Sequence, residues 1–183
     1  MLRVRVQYGE HGGGRRLIQH DSKHDYLGGN VNLSPHFTFA EMTRTGQSAL
    51  QAANRTEAAA FTQSLTRVCV DLLEPIRAKF GVVKVHSGFR GAAVNTAIGG
   101  SKTSQHMRGE ACDFSVPGLS FDVVFRWIVL ESGIAFGQAI LEGRTPTPSW
   151  IHVSLGAPWR DRALCGQALR FDGTRYSTWT ATP

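Results

Sequence analysis

His106 and Asp113 lie seven residues apart in the run Ser104-Gln105-His106-Met107-Arg108-Gly109-Glu110-Ala111-Cys112-Asp113, and His152 follows much later, between Ile151 and Val153. His106 falls at the end of a loop rich in small residues. Asp113 and His152 each stand among apolar neighbours that read as strands. A carboxylate in an apolar strand needs a partner, because an unpaired buried charge is strongly destabilising. A metal would serve. Two imidazoles and one carboxylate supply three of four tetrahedral ligands and leave one position open, as catalytic zinc requires. The plainer reading of the same residues is a buried Asp–His hydrogen bond, and spacing alone leaves both open.

The other histidines ask for less. His11, His20 and His24 sit in a polar leader, where solvent exposure is the default, and His36 precedes a capped helix. His86 ends a strand beside the motif region and could line a site. The cysteines (Cys69, Cys112 and Cys165) are odd in number and form no CxxC, which argues against a disulfide framework or a cysteine-ligated zinc.

The longer string narrows the choice. Ser87-Gly88-Phe89-Arg90, Asn95, Gly99-Gly100, the Ser104 to Asp113 run and Trp150-Ile151-His152-Val153-Ser154 occur in that order. Together they resemble the zinc D-alanyl-D-alanine peptidase family, in its small single-domain branch from bacteriophages and bacteria. Leu33-Ser34-Pro35-His36-Phe37-Thr38 and Leu73-Glu74-Pro75-Ile76-Arg77 are similar to the same branch. The resemblance spans about residues 33–156.

The resemblance implies a zinc ion held by His106, Asp113 and His152, and an active-site Arg90 on the loop after the first core strand. It implies cleavage of peptide bonds in peptidoglycan stem peptides or crossbridges, as a carboxypeptidase or an endopeptidase. The fold it implies is that of the hedgehog and DD-peptidase domains, an α+β arrangement with a small antiparallel sheet flanked by helices. Relatives commonly carry a Glu shortly before the last His ligand, but here Ser149, Trp150 and Ile151 precede His152. Glu142, ending Phe136-Gly137-Gln138-Ala139-Ile140-Leu141-Glu142, is the candidate proton acceptor; Glu110 and Glu131 are alternatives. Arg90 would stabilise an oxyanion or hold a peptide carboxylate. Ser87, Ser104 and Trp150 are candidate substrate contacts, although a strand Trp is more often part of a core.

These side chains must be placed by recognisable elements. Thr38-Phe39-Ala40-Glu41 fits a capping box, so a short helix should follow. Phe61, Leu65, Val68, Leu72, Ile76 and Phe80 step by 4, 3, 4, 4 and 4, which predicts one helix over about residues 56–80. Pro75 should kink it and Gly81 should end it. Val82 to His86, Ala111 to Val116, Gln138 to Leu141 and Trp150 to Leu155 read as strands. Ser120 to Glu131 reads as an amphipathic helix, residues 91–104 as turn-rich, and residues 143–149 as a loop. Three segments result: an irregular extension over residues 1–32 with a short strand from Leu2 to Gln7, a peptidase domain over 33–156, and a tail over 157–183 packed on it. The tail should add a strand around Leu169 to Phe171.

Composition sets outer limits. With 183 residues, 42% hydrophobic and 19% charged, the chain can bury one real core and does not suit a disordered protein. Net charge is +6 with sixteen Arg and four Lys, and no run of five basic residues occurs. Such a surface suits an anionic partner such as a bacterial wall; a nucleic-acid reading rests on charge alone. No apolar stretch reaches the length of a membrane span, and Met1 to Gly13 lacks the apolar core of a secretory signal. The expectation is a phage-type lytic enzyme, an endolysin made in the cytoplasm and released to the wall, or a virion component. Whether it acts as a monomer is left open. The contrasting expectation is a non-catalytic module that keeps zinc as a structural staple or binds the wall.

Overall fold

The computed structural model describes residues 31–143, 148–156 and 165–181. The expected strand from Leu2 to Gln7, the extension up to residue 30, and most of the 143–149 loop lie outside them.

Among the described residues six strands form one sheet: β1 (Lys84–Ser87), β2 (Ala111–Ser115), β3 (Phe136–Glu142), β4 (Trp150–Leu155), β5 (Gln167–Phe171) and β6 (Tyr176–Thr178), in the order β1-β2-β4-β3-β5-β6. Every pairing is antiparallel except β3 with β5, which is parallel. Successive side chains of a strand point to opposite faces. One face carries Val85, Cys112, Phe114, Ala139, Leu141, Ile151 and Val153, all buried in the core. The other carries Ser87, Asp113, His152 and Glu142. The α+β class expected from the sequence is the class observed.

The apolar face packs on helices. Thr38 caps α1 (Phe39–Met42), its Oγ1 accepting the Glu41 N–H at 3.1 Å. A helical run from residue 48 to residue 80 then crosses the sheet: α2 (Gln51–Ala58), α3 (Thr62–Arg67) and α4 (Glu74–Phe80) are its α-helical parts. Leu65, Val68, Leu72 and Ile76 are fully buried, as their spacing predicts, with Phe61 and Phe80 half-buried at the ends.

Two details differ from expectation. The run begins at residue 48 rather than about 56, because α2 buries the polar Asn54 with Ala58 instead of an apolar stripe. Ahead of Pro75, residues 68–73 widen into a π-helical turn, and the Glu74 N–H reaches the Cys69 carbonyl. Pro75 lacks an N–H, so the ladder has to shift around it.

Two further helices complete the frame. Residues 92–97, expected as turn, form α5 (Ala92–Ala97). Its first N–H groups are met from afar: Asn54 Oδ1 accepts the Gly91 N–H at 2.7 Å, and the Glu57 carboxylate accepts the Ala92 N–H at 3.3 Å. Ser120 caps α6 (Phe121–Leu130), which buries Val124, Phe125 and Ile128 against the sheet. Among the described residues no helix is long and apolar enough to cross a membrane.

Candidate metal centre

The pairing of β2 with β4 brings the distant residues together. Asp113 stands directly opposite His152, so both side chains leave the same face. His106 arrives from a short 3₁₀ turn over residues 105–108, which ends at Gly109 with φ of 64°. That left-handed turn favours glycine, and a Cβ there would also press on Leu65 and Phe61.

The three side chains are buried and converge. Asp113 Oδ1 lies 3.1 Å from His106 Nε2 and 2.9 Å from His152 Nδ1, and the two ring nitrogens are 3.2 Å apart. Their ligand atoms fall within 4.8 Å of one another. The outward nitrogens are already engaged. His106 Nδ1 donates to the Gly88 carbonyl at 2.7 Å, and His152 Nε2 donates to Gln105 Oε1 at 2.9 Å. Each ring therefore turns a lone pair toward the other and toward a carboxylate. Such a cluster calls for a cation at its centre, and two imidazoles with a carboxylate suit zinc.

Gly88 has its own reason to be glycine. The Phe89 N–H donates to the Met42 carbonyl at 2.7 Å, and a Cβ on Gly88 would collide with that same carbonyl. The close approach fixes the Gly88 carbonyl that orients His106.

Burial pushes the Asp113 carboxyl up, but with no cation between them a proton on the inner nitrogens gives His106 a charge and both histidines hydrogen bonds that outweigh it and hold the group well below the usual carboxylate range; a cation bound to the lone pairs would act in the same direction. Arg90 adds a direct ion pair with Asp113 Oδ2, while its Nε donates to Ser87 Oγ at 2.7 Å. The structure thus engages Ser87 with Arg90. Ser104 is half-buried just before the 105–108 turn, and its carbonyl accepts the Met107 N–H at 3.2 Å.

Glu142 is half-buried at the end of β3 and stands opposite Trp150 on the face that carries His152. Burial, then the charge of Asp113, push its carboxyl above the ordinary value; His152, Arg90 and the Trp150 indole partly offset this. The Trp150 Nε1–H is buried yet makes no well-formed hydrogen bond. Of the alternative acids, Glu110 is tied to Arg108 at 2.9 Å, and Glu131 is exposed at the end of α6. His86 donates to or accepts from Ser115 Oγ at 2.8 Å at the rim of the same face.

Sequence reasoning missed Gln105 and Ser154. Gln105 Nε2 donates to Ser154 Oγ at 3.0 Å, which fixes the amide that meets His152. The only sequence signal for Gln105 is its place beside His106; Ser154 was legible merely as part of the Trp150 to Ser154 string. A cavity of about 590 Å³ lies apart from this cluster, on the β5–β6 hairpin, lined by Gly166, Gln167, Ala168, Leu169, Thr178 and Trp179.

No curated protein matches the chain at a significant level. A family model for peptidase M15 matches residues 35–154, a stretch that begins ahead of α1, ends inside β4 and holds all three clustered ligand atoms. With well over half of its length matched, and with the fold of the match and its buried His–Asp–His group both in place, the chain belongs to the peptidase M15 family.

Proposed function

We propose that this chain is a zinc metallopeptidase that cleaves stem peptides or crossbridges of bacterial peptidoglycan, as a DD-carboxypeptidase or endopeptidase of the phage lytic type. The observation that carries this reading is the buried convergence of His106 Nε2, Asp113 Oδ1 and His152 Nδ1, with their outer nitrogens already committed. These three would hold the ion. A zinc ion there would polarise a peptide carbonyl and make water more acidic. Glu142 takes a proton from the attacking water and returns it to the leaving amine, a role that suits a carboxyl raised by burial. Arg90, held by Ser87, offers its guanidinium to the negative charge that builds on the carbonyl oxygen or to a terminal carboxylate. Ser104 and Trp150 flank the path of the substrate. A surface of net charge +6 suits an anionic wall, reached after release from the cell or from a virion. Glu142 on the metal-site face favours turnover over a zinc-stapled module without activity.

The test is digestion of purified peptidoglycan by the zinc-loaded protein, with mass analysis of the products. Loss of a terminal D-alanine or opening of a crossbridge is expected, and both should vanish with a chelator. Absence of any peptide product from zinc-loaded protein would overturn the reading. A protein carrying both His106→Ala and His152→Ala should come through purification without zinc; full stoichiometry there would overturn the ligand assignment.

A further inference from the structure

The family match ends at residue 154, but the sheet continues. β5 adds to the outer edge of β3 and β6 adds to β5. Their register extends one row of the metal-site face: Trp150 is opposite Glu142, Glu142 opposite Phe171, and Phe171 opposite Tyr176. The Phe171 and Tyr176 rings lie 4.6 Å apart at 31°. Tyr176 is 58% exposed, on a strand that closes the sheet.

The fold does not need these two rings for its core. The other side of the hairpin does the anchoring: Trp179 meets Phe125 of α6 edge-on at 5.3 Å, and its backbone N–H donates to the Ala168 carbonyl at 2.9 Å. The register sets Tyr176 one position beyond Phe171 from Glu142, and burial, then the charges of Glu142 and Asp113, raise its hydroxyl. A half-buried Phe171 stacked with an exposed Tyr176, both outside the core cluster and beside a site, marks a binding surface.

We propose that Phe171 and Tyr176 form a saccharide subsite, which receives the sugar ring that bears the stem peptide while the far end of that peptide lies at the His106–Asp113–His152 centre. The proposal rests on the peptidoglycan reading above. Distance supports the occupant. Three strand spacings of about 4.8 Å separate β4 from β6, on the order of 14 Å. An extended peptide covers about 3.3–3.6 Å per residue, so roughly four residues bridge that span. Chemistry supports it too. Sugar rings present flat arrays of C–H groups that pack on aromatic faces, with hydroxyls left for water and for the Tyr176 phenol. The row from Trp150 to Tyr176 holds no basic side chain that would select an anionic polymer.

Two probes decide the matter: a stem pentapeptide carrying the glycan disaccharide, and the same pentapeptide without sugar. Binding is measured by calorimetry on zinc-loaded protein carrying Glu142→Gln, so that neither probe is consumed. The sugar should tighten binding about tenfold, the scale of one good aromatic contact with its buried area. In the same background, Phe171→Ala or Tyr176→Ala should erase that advantage and leave the Kd for the bare peptide unchanged. Tyr176→Phe, which keeps the ring, should preserve it. Equal affinities for the two probes, or an advantage that survives both alanine variants, would overturn the subsite. Failure of the wild-type enzyme to cut either peptide or a crosslinked stem-peptide dimer would instead overturn the peptidase reading, while the binding comparison still decides the subsite.

Discussion

At Asp113 two opposing effects meet. Desolvation favours the neutral acid; the Arg90 guanidinium, and positive charge held between the two imidazoles as a proton or a cation, favour the carboxylate and prevail. The arrangement works only if the imidazoles keep their orientation, and for His152 that falls to Gln105. Gln105→Ala should therefore leave the three ligands in place yet weaken zinc binding by about 10- to 100-fold, the usual cost of losing a partner behind a ligand. Competition with a chromophoric chelator would measure it, and unchanged affinity would assign Gln105 to packing alone. Glu142, the proposed proton acceptor, is open to a similar test. Glu142→Gln should retain fold and zinc but lose peptidoglycan cleavage by about 100-fold or more. Wild-type turnover in that variant would move the proton transfer to another group.

On the scale of elements, the helical run over residues 48–80 ties the entry of the chain to the sheet. Its α4 segment begins at Glu74, which takes the Ser34 hydroxyl at 2.7 Å, the His36 N–H at 2.9 Å and the His36 ring at 2.8 Å. Burial pushes the Glu74 carboxyl up, but these hydrogen bonds prevail and hold it below its ordinary 4.5. A depressed folded pKa means that the unfolded chain binds the proton more readily. The stability Glu74 contributes is thus present above about pH 4.5 and is lost as pH falls through the folded value. Glu74→Gln should lower the melting temperature at neutral pH and flatten its decline in acid. Parallel acid profiles for the variant and the wild type would show that another carboxylate governs this range.

For the whole molecule, the site joins segments far apart in sequence: a 3₁₀ turn at His106 and two paired strands at Asp113 and His152. An ion bound there favours only the folded chain, so its binding energy becomes folding energy. At free zinc a thousand times Kd, this amounts to about 4 kcal/mol. For a chain of this size, complete chelation should then lower the melting temperature by roughly 8–16 °C. No shift under full metal removal would place the cluster outside the cooperative unit. The β5–β6 hairpin belongs to the same scale, since it widens the sheet beyond the matched stretch without altering the centre.

Periodicity determined the helical stripe of Leu65, Val68, Leu72 and Ile76, because a 3.6-residue repeat lines one helix face, whereas the strands that carry Asp113 and His152 were legible as short apolar runs and are buried on both faces. The residues of the His106–Asp113–His152 cluster were legible from an ordered string of motifs, and the strand expected around Leu169 to Phe171 is present as β5. Other features depend on partners distant in sequence. α5 stands on Asn54 and Glu57, and α2 on the burial of a polar Asn54, so neither carries an apolar signature of its own. The Gly88 carbonyl and the Gln105 amide acquire their roles only once β1, β2 and β4 are assembled. Strand pairing alone set Glu142 beside Trp150 and Phe171, because register is fixed by which faces must be buried and not by any residue at the site itself.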